Sequence, residues 1–262
     1  MPDVRIEALA DGVSLLRLDR PAKLNALSDE MVADACRLLE SIGADTGCRV
    51  LVISGAGRGF CAGFDLASAG DAPGNGPEET AMWMRRQEVF AGLIQRLRAL
   101  PQPVIAAVNG SASGAGLGIA LACDIRVAAA SAQFNSAFVR VGMSSCDMGV
   151  SWLLPRCIGL SRAFEMMLTG RMVKADEADR IGLVSEVADD VQLMARVSEI
   201  ASLIVANSAF GVWMTKRGMW ANAEASSLQA AMELENRTQI LCRSTGELAA
   251  AASAMPNLRR EA

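Results

Sequence analysis

Twice in this chain a short apolar run ends in a stretch of very small residues. Arg49-Val-Leu-Val-Ile-Ser-Gly55 runs into Gly57-Arg-Gly-Phe-Cys-Ala-Gly-Phe-Asp-Leu66, and Val104–Val108 runs into Asn109-Gly-Ser-Ala-Ser-Gly-Ala-Gly-Leu-Gly118. Neither run alternates apolar with polar residues, so each reads as a strand covered on both faces, which is the habit of parallel sheets flanked by helices. The rest of the chain fits. Val13–Asp19 alternates as an early strand, and Asn25-Ala-Leu-Ser-Asp-Glu-Met opens a helix with Ser28 as its N-cap and apolar positions recurring to Ile42. A longer amphipathic helix is expected to stop near Leu100, before Pro101 and Pro103, and the polar, Gly/Pro-rich stretch Ala67–Glu79 ahead of it reads as a mobile loop. Ala115–Ala122 reads as a short apolar helix, Asp124–Ala129 as a strand, Trp152–Leu168 as helix once past Pro155, and Ile181–Val187 as a last short strand. Beyond Asp190 only helical periodicity remains. The expected fold class is α/β, with a strand-and-helix core over residues 1–190 and an all-helical region over 191–262. A chain of this length buries about three quarters of its extended surface, enough for one substantial core.

Two absences bound the chemistry. The chain has His 0 and Tyr 0, so no histidine base, imidazole metal ligand or tyrosine acid operates in it. The seven cysteines (Cys36, Cys48, Cys61, Cys123, Cys146, Cys157 and Cys242) are scattered, with no C-x-x-C pair. Reduced, mostly buried thiols in a cytoplasmic protein are expected, without a zinc site or disulfide framework. A formal charge of −4 without a marked basic cluster argues against nucleic acid or an anionic membrane as partner. The first residues lack the apolar segment of a leader, and no apolar run approaches membrane-spanning length.

Catalysis without histidine or metal can be built on backbone amides, and the two small-residue turns offer them. In the first, small residues let the backbone bend sharply against a ligand, with the Ala62 amide pointing out of the turn. In the second, the turn opens a helix whose N-terminal N–H groups and dipole favour negative charge, with Ala115 best placed. Two converging amides would stabilise an enolate or tetrahedral oxyanion, each worth roughly 3 kcal/mol. The structural alternative is that small residues only let a helix pack closely on a strand. Gly57-x-Gly59-x-x-Ala62 also fits a dinucleotide fingerprint formally, but it leads into the 67–79 stretch instead of a helix, and no acidic strand end follows.

Five segments, in order and over nearly the whole chain, resemble the crotonase, or enoyl-CoA hydratase/isomerase, superfamily. They are Leu18-Asp-Arg-Pro-Ala-Lys-Leu-Asn-Ala-Leu27; Gly55–Leu66; Pro103–Gly110 through Cys123-Asp-Ile-Arg-Val-Ala; Leu154-Pro-Arg-Cys-Ile-Gly159; and Leu168-Thr-Gly-Arg171 with Ile181-Gly-Leu-Val184. The resemblance implies a spiral of ββα units, a C-terminal helical region that builds homotrimers or dimers of trimers, and an acyl-CoA thioester as substrate. Coenzyme A is then part of the substrate, with no separate cofactor and no metal. The amides matching Ala62 and Ala115 would hold the thioester carbonyl. Coenzyme A would pack along Ala22, Lys23 and Leu24 and along Phe64, Asp65 and Leu66, and Gly114, Phe138 and Val141 would also contact the substrate or its coenzyme A. Ala115 stands where the family usually has glycine; it keeps the donor but narrows the pocket, and suits the site only if the backbone there avoids positive φ.

The acids depart from the family. Hydratases of this type use two glutamates, at positions held here by Gly118 and Phe138, and neither can move a proton. Asp147, in Ser144-Ser-Cys-Asp-Met-Gly-Val-Ser-Trp-Leu-Leu-Pro155, matches the aspartate of dienoyl-CoA isomerases and halobenzoyl-CoA dehalogenase when counted back from Leu-Pro-Arg-x-Ile-Gly. Counted forward from Phe138 it is one residue displaced, so an insertion is implied. Its apolar setting should raise its pKa, as a proton-shuttling group needs. The alternative role for Asp147 is to cap a helix beginning near Gly149. Asp65, at a turn-to-helix junction, and Asp124, at a strand start, read as structural. Cys61 and Cys146 would need a base to act as nucleophiles, and none is visible. Dehalogenation lacks its histidine, and synthase or hydratase-lyase chemistry lacks its tyrosines. The expected activity is therefore of the enoyl-CoA hydratase/isomerase type through Asp147; the alternatives are a non-catalytic acyl-CoA-binding homologue and a dienoyl-CoA isomerase-like enzyme. Met82, Trp83, Met84, Met143 and Trp152 are either core or acyl-tail pocket.

Overall fold

A computed structural model describes residues 2–68 and 76–254. Most of the stretch expected to be a mobile loop, residues 69–75, lies outside the described residues. The chain divides into two units, Met1–Ser202 and Leu203–Ala262.

The first unit holds two sheets. The larger has six strands in the order β1 (Val4–Ala10), β2 (Val13–Leu18), β3 (Val50–Gly55), β5 (Val104–Val108), β7 (Ile125–Ala129) and β10 (Glu186–Ala188). The smaller has β4 (Gly59–Cys61), β6 (Ser111–Ser113), β8 (Gln133–Asn135) and β9 (Val173–Lys174). Pairing is antiparallel in β1/β2 and β8/β9 and parallel elsewhere, with Leu51 opposite Val104, Ile105 opposite Ile125 and Ser111 opposite Gln133. Each successive pair, β3/β4, β5/β6 and β7/β8, sends one strand to each sheet before the chain returns through a helix. This is the expected spiral of ββα units. Every residue of β3 and β5 is buried, which is why neither shows polar alternation.

Helices follow their apolar periodicity. In α1 (Asp29–Ala44), Met31, Val32, Ala35, Cys36, Leu39 and Ile42 form the buried face, and the Ser28 hydroxyl accepts the Met31 N–H at 3.2 Å. α2 (Pro77–Ala99) ends at Leu100, before the prolines. α3 (Ala115–Ala122) is buried along its whole length. The single helix expected past Pro155 is two, α4 (Val150–Ile158) and α5 (Leu160–Thr169), broken at Gly159 with φ 80°. Pro155 lies inside α4; burial of Val150, Leu153, Leu154 and Ile158 on one face outweighs its missing N–H. The strand expected over Ile181–Val187 is shorter. After α6 (Ala175–Arg180), the N–H groups of Leu183 and Val184 return to Ala178 O at 2.8 and 3.4 Å, so this apolar segment ends the helix and only Glu186–Ala188 pairs with β7. The short β4 and β6 strands lie inside the turns read as small-residue bends.

α7 (Leu193–Val205) carries the chain into the second unit, which contains α8 (Ala209–Asn222), α9 (Leu228–Ser244) and α10 (Glu247–Ala254). Ser208 and Ser227 cap α8 and α9, their hydroxyls accepting the N–H groups of Gly211 and Ala230.

The β3–β4 turn is gripped from both sides by asparagines. Asn25, fully buried at φ 57°, accepts the Arg20 N–H at 2.8 Å and donates to Ala56 O at 2.9 Å and Gly59 O at 2.8 Å. Asn109, just beyond β5, accepts the Gly55 N–H at 3.0 Å and donates to Gly57 O at 3.0 Å and Gly59 O at 3.2 Å. Removing either amide takes one donor from the buried Gly59 O and leaves Ala56 O or Gly57 O without its side-chain partner. Asn25→Ala and Asn109→Ala are each expected to lower stability by about 2–4 kcal/mol in urea titrations. Because both donate to Gly59 O, the double variant should deviate from additivity by about 0.5 kcal/mol or more.

Candidate active site

Beyond the clamped turn, β4 runs into Ala62–Asp65, and here the amides are allotted one by one. The Ala62 N–H donates to Leu24 O at 2.9 Å. The expectation that Ala62 offers its amide to a ligand is therefore corrected: that donor is spent holding the turn after Lys23. The Gly63 N–H faces the Cys61 sulfur. Phe64 forms a parallel bridge with Leu27 in which Leu27 N–H donates to Gly63 O at 2.7 Å and Asp65 N–H donates to Leu27 O at 2.9 Å. Such a bridge turns the N–H of Phe64 itself to the opposite side. Among the described residues that N–H has no backbone acceptor.

It emerges beside the start of α3. Gly63 has φ 95°, and a Cβ there would come within 2.7 Å of Ser113 O and 3.4 Å of Ala115 N, so only glycine lets the two turns touch. Ala115 is the first residue of α3, and its N–H likewise has no backbone partner, as the geometry of a helix start requires. The positive φ that would have disfavoured alanine falls on Gly114, at 52°, whose N–H donates to Asn135 O at 3.0 Å. Two unpartnered N–H groups, those of Phe64 and Ala115, thus lie at the junction of the two small-residue turns. The sign that points to Phe64 over Ala62 is the glycine before it, which marks where the chain presses on α3.

The Phe64 side chain is held as well. Its ring meets Phe90 edge-on at 5.4 Å, and the Arg86 guanidinium lies over the rings of Phe64, Trp83 and Phe90 at 4.7, 4.9 and 5.8 Å. Arg86 is itself fixed by two bonds to the Asp29 carboxylate, at 2.8 and 2.9 Å.

Asp147 comes to the same region through Met148. A Cβ on Gly118, one turn along α3 from Ala115, would meet Met148 O at 2.7 Å and Met148 Cβ at 2.8 Å. Met148 sits at φ 47°, a conformation that carries the chain over this glycine. The Asp147 carboxylate, half-buried, accepts the Met148 N–H at 2.7 Å and the Gln87 side-chain amide from α2, both on Oδ1. Burial pushes its pKa above the usual aspartate value, and these two donors draw it partly back. It does not cap α4: the N-cap is Gly149, with no side-chain cap bond. Nothing in the sequence singles out Gln87, an exposed glutamine on an amphipathic helix.

The other expected site residues are distributed around this junction. Phe138 is buried, its ring 3.7 Å from where a Cβ of Gly114 would sit, and Val141 is exposed at the end of the same 3₁₀ turn, Ala137–Val141. Ala22 and Lys23 are exposed on the 3₁₀ turn Pro21–Lys23, Leu24 ends it in the left-handed conformation, and Leu66 is exposed. Asp65 is buried and paired with Arg20 at 2.9 Å, which holds its pKa below the ordinary carboxylate value. Asp124 accepts the Val104 N–H at 2.7 Å, in keeping with a structural role. Cys61 is fully buried, its thiol pushed up to about 12, so it supplies no thiolate at neutral pH. Met82, Met84 and Met143 are exposed and so are not core, whereas Trp152 packs under Arg98 and Arg156.

The profile of the enoyl-CoA hydratase/isomerase family matches residues 8–250. A probable enoyl-CoA hydratase of Mycobacterium tuberculosis is 42% identical over 241 residues, 92% of this chain and 85% of that protein. The 1,2-epoxyphenylacetyl-CoA isomerase of Escherichia coli is 38% identical over 231 residues, 88% of this chain and 86% of its own. Among solved structures, a probable enoyl-CoA hydratase/isomerase from Mycobacterium abscessus superposes with a TM-score of 0.89 at 37% identity, covering 99% of this chain and 97% of that one. With the ββα spiral matched over almost its whole length, the chain belongs to the enoyl-CoA hydratase/isomerase family of the crotonase superfamily.

Proposed function

We propose that this chain is an enoyl-CoA isomerase in which Asp147 moves one proton while the N–H groups of Phe64 and Ala115 hold the thioester oxygen. The Asp147 carboxylate takes a proton from the carbon between the carbonyl and the double bond of a 3-enoyl thioester. The C–H electron pair moves into the carbon chain and the carbonyl pair onto oxygen, giving a dienolate whose charge the two amides and the start of α3 receive. Asp147, now protonated, returns the same proton to the far carbon. The double bond finishes conjugated with the carbonyl and the carboxylate is restored, so no water, oxidant or second acid is consumed.

The observation that carries this reading is the half-buried Asp147 carboxylate, its pKa raised by burial, beside an α3 whose Gly118 is filled over by Met148. Adding water across an enoyl bond calls for one group to activate water and another to protonate carbon; Gly118 and Phe138 supply neither. The name of the Escherichia coli relative, a 1,2-epoxyphenylacetyl-CoA isomerase, agrees with isomerisation of a coenzyme A thioester. Coenzyme A fits along Ala22, Lys23, Leu24 and Leu66, with Asp65 ordering that segment through Arg20 and the acyl part passing Gly114, Phe138 and Val141. The helical region over 191–262 is proposed to assemble trimers or pairs of trimers.

Crotonyl-CoA, a 3-enoyl-CoA and a 2,5-dienoyl-CoA offered to the parent and to Asp147→Asn, with binding titrated in parallel, test the reading. The parent should isomerise the 3-enoyl or dienoyl thioester, and Asp147→Asn should lose about 10³-fold in kcat while affinity stays within about threefold. Equal turnover by the variant overturns the role of Asp147, and binding without turnover in the parent leaves the acyl-CoA-binding homologue as the correct description. Since the base must be ionised, kcat/KM should rise with pH through the Asp147 pKa, with its midpoint above the ordinary value of about 3.9. Proline is at home at the first residue of a helix, so Ala115→Pro should keep the parent's thermal midpoint within a few degrees and lower kcat by about 10²-fold.

A further inference from the structure

The face of α2 toward Asp147 carries a glutamine that the isomerisation scheme leaves unused. Gln87 Nε2 donates to Asp147 Oδ1, the same oxygen that accepts the Met148 N–H at 2.7 Å, and among the described residues Oδ2 accepts no hydrogen bond. A carboxylate with both donors on one oxygen cannot spin about its Cβ–Cγ bond without breaking them, and its other oxygen keeps its lone pairs for an incoming proton. The neighbouring residue fixes where this glutamine stands: Arg86 is tied to Asp29 of α1 and lies over the ring of Phe64. Consecutive residues of α2 therefore touch the two halves of the site, one the ring of the residue whose amide is unpartnered, the other the carboxylate.

We infer that Gln87 is a positioning residue for Asp147, pinning Oδ1 so that Oδ2 faces the carbon acid. This rests on the reading of Asp147 as the base. No charged group competes for the role. α3 carries no ionisable side chain. On α2, Arg86 is engaged by Asp29, and Arg85 and Glu88 are exposed beside Gln87; on α4, Arg156 stacks on Trp152 at 3.6 Å; on the segment of Asp147 itself the one other ionisable group is the exposed Cys146. None of these contributes to the shift at Asp147, which burial, Met148 and Gln87 account for. Gln87 is exposed, so its replacement removes a donor without opening the core.

The test is the pH dependence of kcat and KM toward a 3-enoyl-CoA for the parent, Gln87→Met, Gln87→Glu and Asp147→Asn. Gln87→Met keeps the length of the side chain and loses the donor: kcat should fall about tenfold, KM should stay within about twofold, and the acid limb should move to higher pH because the ionised carboxylate has lost a hydrogen bond. Gln87→Glu places a like charge there and should move the limb further in the same direction. A residue that merely filled space would leave the limb of Gln87→Met in place, while Gln87→Glu reports that the side chain at 87 lies beside the carboxylate. An unmoved limb in Gln87→Met, or a raised KM at unchanged kcat, overturns the inference while Asp147→Asn remains inactive and the base reading stands. Parent-like turnover in Asp147→Asn overturns both.

Discussion

The peptide carbonyl of Gly59 is the point on which this active region depends. Two side-chain amides, from the buried Asn25 and the half-buried Asn109, donate to it, and each makes further bonds to the β3–β4 turn. Such bonds are modest individually but costly to leave unmade in a dry interior. Once the turn is fixed, the path of the next five residues follows. Ala62 N–H reaches Leu24 O, Gly63 presses on Ser113 and Ala115, and the Phe64 amide is left facing the start of α3. The same asparagine that grips the turn also sits at the end of the 3₁₀ bend at Pro21–Lys23, where two successive residues, Leu24 and Asn25, take left-handed conformations. Side chains with local polar reach tolerate that conformation best; the three bonds of Asn25 offset what Leu24 costs.

In the proposed isomerisation the chemistry divides between parts that differ in rigidity. Charge on oxygen would be met by backbone donors belonging to a strand bridge and a helix start, groups that need no rotation to be in place. The proposed base is one side chain, Asp147, whose surroundings pull in opposite senses: burial works against its ionisation while Met148 N–H and Gln87 support it. A carboxylate fully stabilised by ion pairs would be too weak a base for a carbon acid. Asp65 shows the contrast within the same chain, since its pairing with Arg20 holds its pKa down and commits it to structure.

Much of the framework was legible in the residues. The uninterrupted apolar strands, the Ser28 cap, the proline stop after α2 and the α3 start were all readable, because each depends on neighbours within a few positions. What was not legible depends on contacts across the chain. Ala62 and Phe64 are two residues apart in one small-residue turn, and only the carbonyl of Leu24 and the bridge to Leu27 decide which amide is spent. The β4 and β6 strands are three residues each, too short to show a period, and exist because they pair with each other. Pro155 reads as a boundary until the buried face of α4 is seen to continue through it. Gln87 is invisible for the same reason: its role is set by a carboxylate sixty residues away in sequence.

The fate of Gly118 and Met148 shows that the acid arrangement is a property of the backbone as well as of side-chain identity. A side chain at 118 would begin 2.7 Å from Met148 O, so the volume that a glutamate on α3 would use is taken by the segment that delivers Asp147. In this chain the segment that carries Asp147 is routed over this turn of α3. The insertion implied between Phe138 and Asp147 supplies the extra residue, and Met148 in the left-handed region followed by Gly149 at φ 72° lets the chain cross α3 before α4 begins. A side chain at 118 and the present path of Met148 therefore compete for the same volume, and an acid placed at 118 by substitution alone would displace the segment on which Asp147 rides.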